Sequence, residues 1–310
     1  MFISVIICTY NRCESLKDTL DSFLKLSKDA IFNYEIIIVD NNSNDRTKVI
    51  VGTYKQKFDG ILKYIFEPQQ GVSYARNRGI IESKGEILVF TDDDVTLDNN
   101  WIASIHNCFR TTNCDGLGGR ILPQYPNGTP GWIRKHKRVL AGPLPYYDYG
   151  TDSKIFAVKG MMPFVGANMA YKKKCFDDAG LFREDLGPGK GTMGDDTEVF
   201  LRIQKHGFLL VYCGNALVWH RMEKNRMNLR YIARWWMASG RYTARVKKEQ
   251  EEGMVYLFGL PRYIFRELLE NLLLLFINYF RKREFLKSWG LFFWDIGLLI
   301  EYRNCKKCLR

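Results

Sequence analysis

The first hundred residues alternate short apolar runs with stretches of helical periodicity, and several of the runs stop abruptly at polar or acidic residues. Residues 2–8 read as a buried strand followed by the polar Thr9, Tyr10, Asn11 and Arg12. Residues 14–26 then place Leu16, Leu20, Phe23 and Leu24 at helical spacing. Residues 34–39 form a second buried strand that ends at Asp40, and the Asn41-Asn42-Ser43-Asn44-Asp45 cluster reads as a turn and helix cap. Residues 62–66 are a shorter strand, residues 72–82 a helix and residues 87–90 a fourth strand, which runs straight into Thr91-Asp92-Asp93-Asp94. This order predicts an α/β fold with a mixed, mostly parallel sheet and flanking helices. Such sheets bind ligands at the carboxyl ends of their strands. Thr9, Asp40 and Asp92 to Asp94 all fall at such ends, which makes them one candidate site.

Residues 112–170 are richer in Gly, Pro and aromatics, with short strands expected at 116–122 and 164–171 around a long loop region. A short helix is expected at 174–180, a longer one at 197–206, and strands at 209–212 and 216–219. Three helices follow, at 229–248, 263–280 and 285–302. At 310 residues the length is compatible with about two domains, and the expected division is 1–225 and 226–310. A hydrophobic share of 46% with 26% charged residues describes a packed core and excludes a mainly disordered chain. Eight cysteines are too few for a disulfide scaffold.

The net charge of +12 is concentrated at one end: residues 221–310 hold 19 Lys and Arg against 9 Asp and Glu. The same stretch carries the most apolar runs. Basic, aromatic and apolar together point to an anionic membrane surface and away from nucleic acid. A spanning helix needs about 20 mostly apolar residues, and Arg266, Glu267, Glu270 and Arg281 interrupt the apolar stretch. In-plane amphipathic helices are therefore expected. The alternative is a helical cap whose apolar stripe is buried on the protein or in a homodimer. Met1 leads directly into the first strand without a basic leader or cleavage site, so a cytosolic chain with reduced thiols is expected. Cys305 and Cys308 form a CxxC without the second pair that a zinc site needs.

Three clusters could carry chemistry. Asp92, Asp93 and Asp94 repel one another, and a hard divalent cation held against phosphate oxygens would compensate them. A solvated acidic turn capping the helix at Asn99-Asn100-Trp101 is the competing reading. Gly194-Asp195-Asp196-Thr197-Glu198 opens a helix, where a carboxylate could be a general base or a cap. His220 ends an apolar run and could be a metal ligand or a structural residue.

The motifs in order also carry a family resemblance. Residues 4–12 (Ser-Val-Ile-Ile-Cys-Thr-Tyr-Asn-Arg) resemble the opening strand of family 2 glycosyltransferases of the GT-A fold. Residues 35–45 resemble their second strand and turn, and residues 71–79 (Gly-Val-Ser-Tyr-Ala-Arg-Asn-Arg-Gly) a third shared element. Phe90-Thr91-Asp92-Asp93-Asp94 resembles the DxD motif, Gly194-Asp195-Asp196 the later acidic motif, and Trp219-His220 a frequent terminal histidine.

The resemblance implies an inverting, metal-dependent transferase of one sugar from a nucleotide-diphosphate donor, a UDP-sugar first among the options. The acceptor would be a hydroxyl of a glycan or lipid-linked molecule in surface polysaccharide synthesis, reached from the inner face of the cell membrane. Residues 1–225 would be the nucleotide-sugar-binding and catalytic domain. Thr9, Tyr10, Asn11, Arg12, Asp40, Asn42, Arg76, Asp92 and Asp93 would line the donor pocket. Asp94 and His220 would hold Mn²⁺ or Mg²⁺. Asp196 would take the acceptor proton, with Asn168 and Asp195 on the donor-sugar or acceptor side. The usual Glu-Asp pair reads Asp195-Asp196 here, and the Gln-x-x-Arg-Trp motif of processive synthases lacks its Gln at Tyr231 to Trp235. Single transfer is thus expected over processive synthesis. A nucleotidyltransferase would carry a Gly-rich phosphate loop, and residues 8–16 contain no Gly. A binding protein that kept the fold without catalysis would lose an acidic motif, and both are present.

Overall fold

The computed structural model describes residues 1–27, 33–155, 161–247, 255–258 and 260–304. The Cys305 and Cys308 pair lies outside the described residues. The elements run β1 (Ile3–Thr9), α1 (Cys13–Phe23), β2 (Tyr34–Asp40), α2 (Thr47–Lys55), β3 (Leu62–Phe66), α3 (Val72–Glu82), β4 (Ile87–Asp92), β5 (Val95–Leu97), α4 (Trp101–Thr112) and β6 (Gly116–Gln124). They continue with α5 (Gly131–Lys135), β7 (Lys154–Ile155), β8 (Asn168–Lys172), α6 (Lys173–Ala179), α7 (Asp195–Lys205), β9 (Leu210–Arg221), α8 (Leu229–Lys247), α9 (Arg262–Ile277) and α10 (Lys282–Asn304).

The strands form one mixed sheet in the order β3-β2-β1-β4-β8-β6-β9-β5, with β7 also on β9. Strands β3, β2, β1 and β4 are mutually parallel, as are β6 and β9, and β8 runs antiparallel to both its neighbours. Of these, β1, β2 and β4 are buried on both faces, which is why they read as nearly unbroken apolar runs. Two strands expected at 209–212 and 216–219 are a single strand, β9. A register shift opposite Gly119 and Arg120 absorbs the extra residues of β9 and explains the interruption at Gly214-Asn215. Strand β8 begins only at Asn168, and Phe164 packs its ring on Phe200 at 4.8 Å instead.

The chain divides into two compact units. The first comprises Met1–Gln124, Tyr147–Gly189 and Asp195–Arg221. The second gathers Tyr125–Tyr146 and Lys190–Gly194 with the described residues from Met222 onward. Within the second unit, α10 lies so close to α8 that a Cβ on Gly240 or Gly297 would strike the backbone of the facing helix. Arg241 and Arg245 of α8 clamp Glu301 of α10 at 3.0 and 2.8 Å. Leu286, Leu298 and Tyr302 of α10 are buried in this unit, whereas α9 buries only Ile264. Among the described residues, no helix is long and apolar enough to cross a membrane.

One polar contact inside this helical unit is pH-sensitive. Asp295 on α10 is buried and accepts a hydrogen bond from Asn271 Nδ2 on α9 at 2.7 Å. Burial, with Glu267 nearby, pushes its carboxyl up to about 6, against the donor from Asn271. The folded value therefore lies above the unfolded value of 3.8. Stability from this group is complete below that unfolded value and is lost as pH rises through about 6. Asp295→Asn keeps a hydrogen-bonding side chain without the charge. Urea denaturation should show the variant more stable than wild type at pH 7.5, with the difference shrinking at pH 5.

Candidate active site

Sheet register lines up three strand tips. Thr9 pairs with Asp40 across β1 and β2, and Cys8 pairs with Asp92 across β1 and β4. After Asp92 the chain turns through Asp93 and Asp94 into β5, whose Val95 pairs with His220 of β9. The Arg221 N–H donates to the Asp94 carbonyl at 2.8 Å. The fold thus brings together three carboxylates and an imidazole that are more than a hundred residues apart in sequence.

The three aspartates divide their work. His220 Nε2 lies 3.1 Å from Asp94 Oδ1 and 3.7 Å from Asp92 Oδ2. One ligand atom each from Asp92, Asp94 and His220 fall within 4.8 Å of one another. In the tautomer with Nδ1 protonated, His220 donates to the Arg221 carbonyl at 3.2 Å, which orients Nε2 toward the carboxylates. Two carboxylate oxygens and an imidazole nitrogen suit a dication of the Mn²⁺ or Mg²⁺ kind. Asp93 instead accepts from the Thr9 hydroxyl at 2.7 Å and from Arg12 Nη1 at 3.2 Å. Arg12 Nη1 also reaches Asp94 Oδ2 at 2.9 Å. Burial and the neighbouring Asp94 push the Asp93 carboxyl up to about 7 in spite of Arg12. Asp92 is held below the usual carboxylate range: burial opposes ionisation, but His220, Arg76 and Arg12 outweigh it.

The second acidic motif sits at the start of α7. Asp195 is buried and ion-paired with Arg76 of α3. The other arm of Arg76 lies 3.9 Å from Asp92 Oδ1, and its guanidinium stacks over Phe182 at 5.4 Å. Arg76 therefore connects the two acidic motifs. Burial and the adjacent Asp196 raise the Asp195 carboxyl to about 6 against the pull of Arg76. Gly187, with φ of +92°, leaves no side chain to crowd Asp195, since a Cβ there would lie 2.7 Å from its Oδ1. Asp196 is half-buried and accepts from the Gly166 N–H at 2.9 Å and its neighbour Thr197 N–H at 2.8 Å.

The loops at β1 and β2 interlock. Asn11 donates its N–H to Ser43 Oγ at 2.9 Å, and its Oδ1 accepts from the Asn44 N–H at 2.7 Å. Asn11 and Asn42 both adopt left-handed backbone, at φ of +51° and +65°. Tyr10 and Asn42 are exposed. Asp40 is buried, with one oxygen taking the Ser43 N–H at 3.0 Å and the other the Tyr64 hydroxyl at 2.7 Å. Asn168 is not brought to the cluster. Its side chain is buried in the core, donating to the Arg120 and Ala216 carbonyls at 3.0 and 2.7 Å and accepting from Trp101 Nε1 at 2.9 Å.

Sequence reasoning missed three residues that shape the site. Asn41 holds the 69–71 turn, donating to the Gln69 carbonyl at 2.6 Å and accepting from the Gly71 N–H at 2.8 Å. Tyr64 fixes Asp40. Arg221 fans over the underside of the acidic turn. It donates to the carbonyls of Val95 at 2.5 Å and Ser15 at 2.7 Å, and to the Thr19 hydroxyl at 2.8 Å. Thr19 in turn donates to the Asp93 and Val95 carbonyls, each at 2.9 Å. Only the position of Arg221 directly after His220 hints at this role. Arg221→Lys keeps the charge but cannot reach all these acceptors. It should lower unfolding stability by about 1–3 kcal/mol in urea titrations and speed amide exchange at Val95.

Residues 4–180, more than half of the chain, match the family described as Glycosyl transferase family 2. The succinoglycan biosynthesis protein ExoM of Rhizobium meliloti (strain 1021) is 24% identical over 254 residues, covering 82% of this chain and 78% of ExoM. The glucosyl-dolichyl phosphate glucuronosyltransferase of Haloferax volcanii is 23% identical over 242 residues, covering 75% and 73%. The mannosyltransferase PcManGT of Pyrobaculum calidifontis, solved with GDP-Man and Mn²⁺, superposes with a TM-score of 0.60 at 17% identity, covering 98% of this chain and 76% of that one. That likeness is one of fold, the GT-A arrangement.

Proposed function

The chain belongs to glycosyl transferase family 2 and is a glycosyltransferase, and from that premise we propose that it is an inverting, metal-dependent enzyme. It moves one sugar from a nucleoside-diphosphate donor, UDP-sugars first, to a hydroxyl of a glycan or lipid-linked acceptor. The observation that carries this reading is the convergence of Asp92, Asp94 and His220 at the carboxyl edge of the sheet.

These three residues would hold Mn²⁺ or Mg²⁺. When bound, such a cation offers a Lewis acid for the charge that grows on the leaving diphosphate. Thr9, Arg12 and Asp93 form the polar wall beside it, and the interlocked loops carrying Tyr10, Asn11, Asp40 and Asn42 receive the nucleoside. Arg76 keeps Asp195 and Asp92 in fixed relation. Asp196 takes the proton of the acceptor hydroxyl as it attacks the anomeric carbon. A single base with no covalent nucleophile means one displacement and inversion of configuration. The names of ExoM, a succinoglycan biosynthesis protein, and of the glucosyl-dolichyl phosphate glucuronosyltransferase support an acceptor in surface polysaccharide or lipid-linked glycan assembly. The basic residues of 229–310 support peripheral contact with the inner face of the cell membrane.

Calorimetry with UDP, GDP, CDP and dTDP, in Mn²⁺ and in EDTA, tests the donor half. One diphosphate should bind in Mn²⁺ alone, and Asp94→Ala should weaken it at least about tenfold. Equal binding in EDTA would overturn the metal assignment. Asp196→Asn should bind the donor normally while turnover falls about 10²–10⁴-fold. Near-normal turnover in that variant would remove Asp196 as the base.

A further inference from the structure

Helix α9 is the most apolar long helix of the second unit, yet five of its apolar side chains, Leu269, Leu273, Leu274, Phe276 and Ile277, are exposed. Leu269 and Leu273 face solvent, and Phe276 and Ile277 are 74% and 72% exposed. The surface continues into the turn before α10, where Tyr279 is exposed and Phe280 is 94% exposed. Single exposed apolar residues are ordinary, but a contiguous run of this bulk marks a surface with a partner.

The elbow between the two helices is built and held. The Asn278 N–H donates to the Leu274 carbonyl at 3.0 Å, and Asn278 Nδ2 donates to Ser288 Oγ at 3.3 Å. The Arg281 N–H closes the turn on the Asn278 carbonyl at 2.8 Å. The rings of Tyr279 and Phe280 pack edge-on at 5.1 Å. Directly behind them, Arg281, Lys282 and Arg283 are exposed. The Lys282 ammonium lies over the rings of Trp132 and Phe285 at 5.1 and 5.7 Å. The adjacent acid, Glu284, is engaged by Lys287 at 3.0 Å and Arg283 at 4.0 Å. An apolar, aromatic tip backed by basic side chains matches the boundary between acyl chains and anionic headgroups. A second copy of the chain would set one basic rim against another, so charge favours lipid over self-association.

We infer that the α9–α10 elbow, residues 273–283, is the element that inserts into an anionic phospholipid surface. The inference rests on the peripheral membrane reading above and narrows it from the whole tail to one tip. Helix α10 is then a support, since its Leu286, Leu298 and Tyr302 are already buried in its own unit.

The test is sedimentation of the full chain with vesicles of phosphatidylcholine alone or with about one third phosphatidylglycerol. Wild type is compared with a Phe276→Ser/Phe280→Ser double variant and an Arg281→Gln/Lys282→Gln/Arg283→Gln triple variant. Wild type should bind the anionic vesicles. The double variant should lose at least about tenfold in partitioning, and the triple variant should lose the preference for anionic lipid. Unchanged nucleoside-diphosphate binding and circular dichroism establish that the variants fold. Wild-type binding that both variants retain would overturn the elbow and leave the membrane reading standing. No wild-type binding to either vesicle would overturn both. Lipid-free dimers of wild type that the double variant dissolves, without vesicle binding, would make the elbow a self-association surface and overturn the inference.

Discussion

Three neighbouring carboxylates at the end of a buried strand are the constraint around which the first unit is organised. Left alone, Asp92, Asp93 and Asp94 would repel one another in a poorly solvated place. The fold separates them by direction. Asp92 and Asp94 meet His220, and Asp93 is drawn aside to Thr9 and Arg12. Arg76 approaches Asp92 from α3, and Arg221 grips the backbone of the turn from below. Thr9 ends β1, Arg12 precedes α1, Arg76 lies on α3, and His220 and Arg221 end β9, so the acidic turn is the point where these segments are tied together. The arrangement leaves negative charge concentrated toward the imidazole, which is where a dication fits.

Much of this was legible in the sequence, for a physical reason. Parallel strands buried on both faces must be continuous apolar runs, and the first polar residue after each run lies at a strand tip. That rule alone located Thr9, Asp40 and Asp92. The family resemblance added Arg76 and gave roles to Asp196 and His220, which their places at a helix start and a strand end had already singled out. What was not legible depends on side chains that arrive from elsewhere in the fold. Asn41, Tyr64 and Arg221 act through hydrogen bonds to residues distant in sequence, and no spacing rule announces such bonds. Asn168 illustrates the converse. The resemblance points it to the donor-sugar or acceptor side, while its side chain makes three hydrogen bonds in the core, to Trp101, Arg120 and Ala216.

The helical tail shows the same limit. Its composition identified a basic, apolar region, but two helices of similar character have different environments in the fold. Helix α10 spends its apolar face inside the second unit, where glycines allow close approach to α8. Helix α9 joins that packing through Ile264 and leaves Leu269, Leu273, Leu274, Phe276 and Ile277 exposed. Both carry apolar and basic residues, and the difference lies in how much of each helix the fold covers.

Strand β9 ends with His220 and Arg221 in succession, one reaching the carboxylates and the other the carbonyls of the same turn. Because side chains alternate along a strand, losing one residue ahead of them would carry Arg221 into the place of His220. A guanidinium would then face the carboxylates in place of the imidazole, and the turn would lose its grip. The distance in residues from the irregularity opposite Gly119 and Arg120 to the strand end therefore has a parity that must be kept. Insertions or deletions of two residues in that stretch preserve the phase, and those of one residue reverse it. A length change that looks harmless in an alignment would in this strand be read as an inversion of roles, so gap placement here is a sensitive indicator of which relatives share the same site.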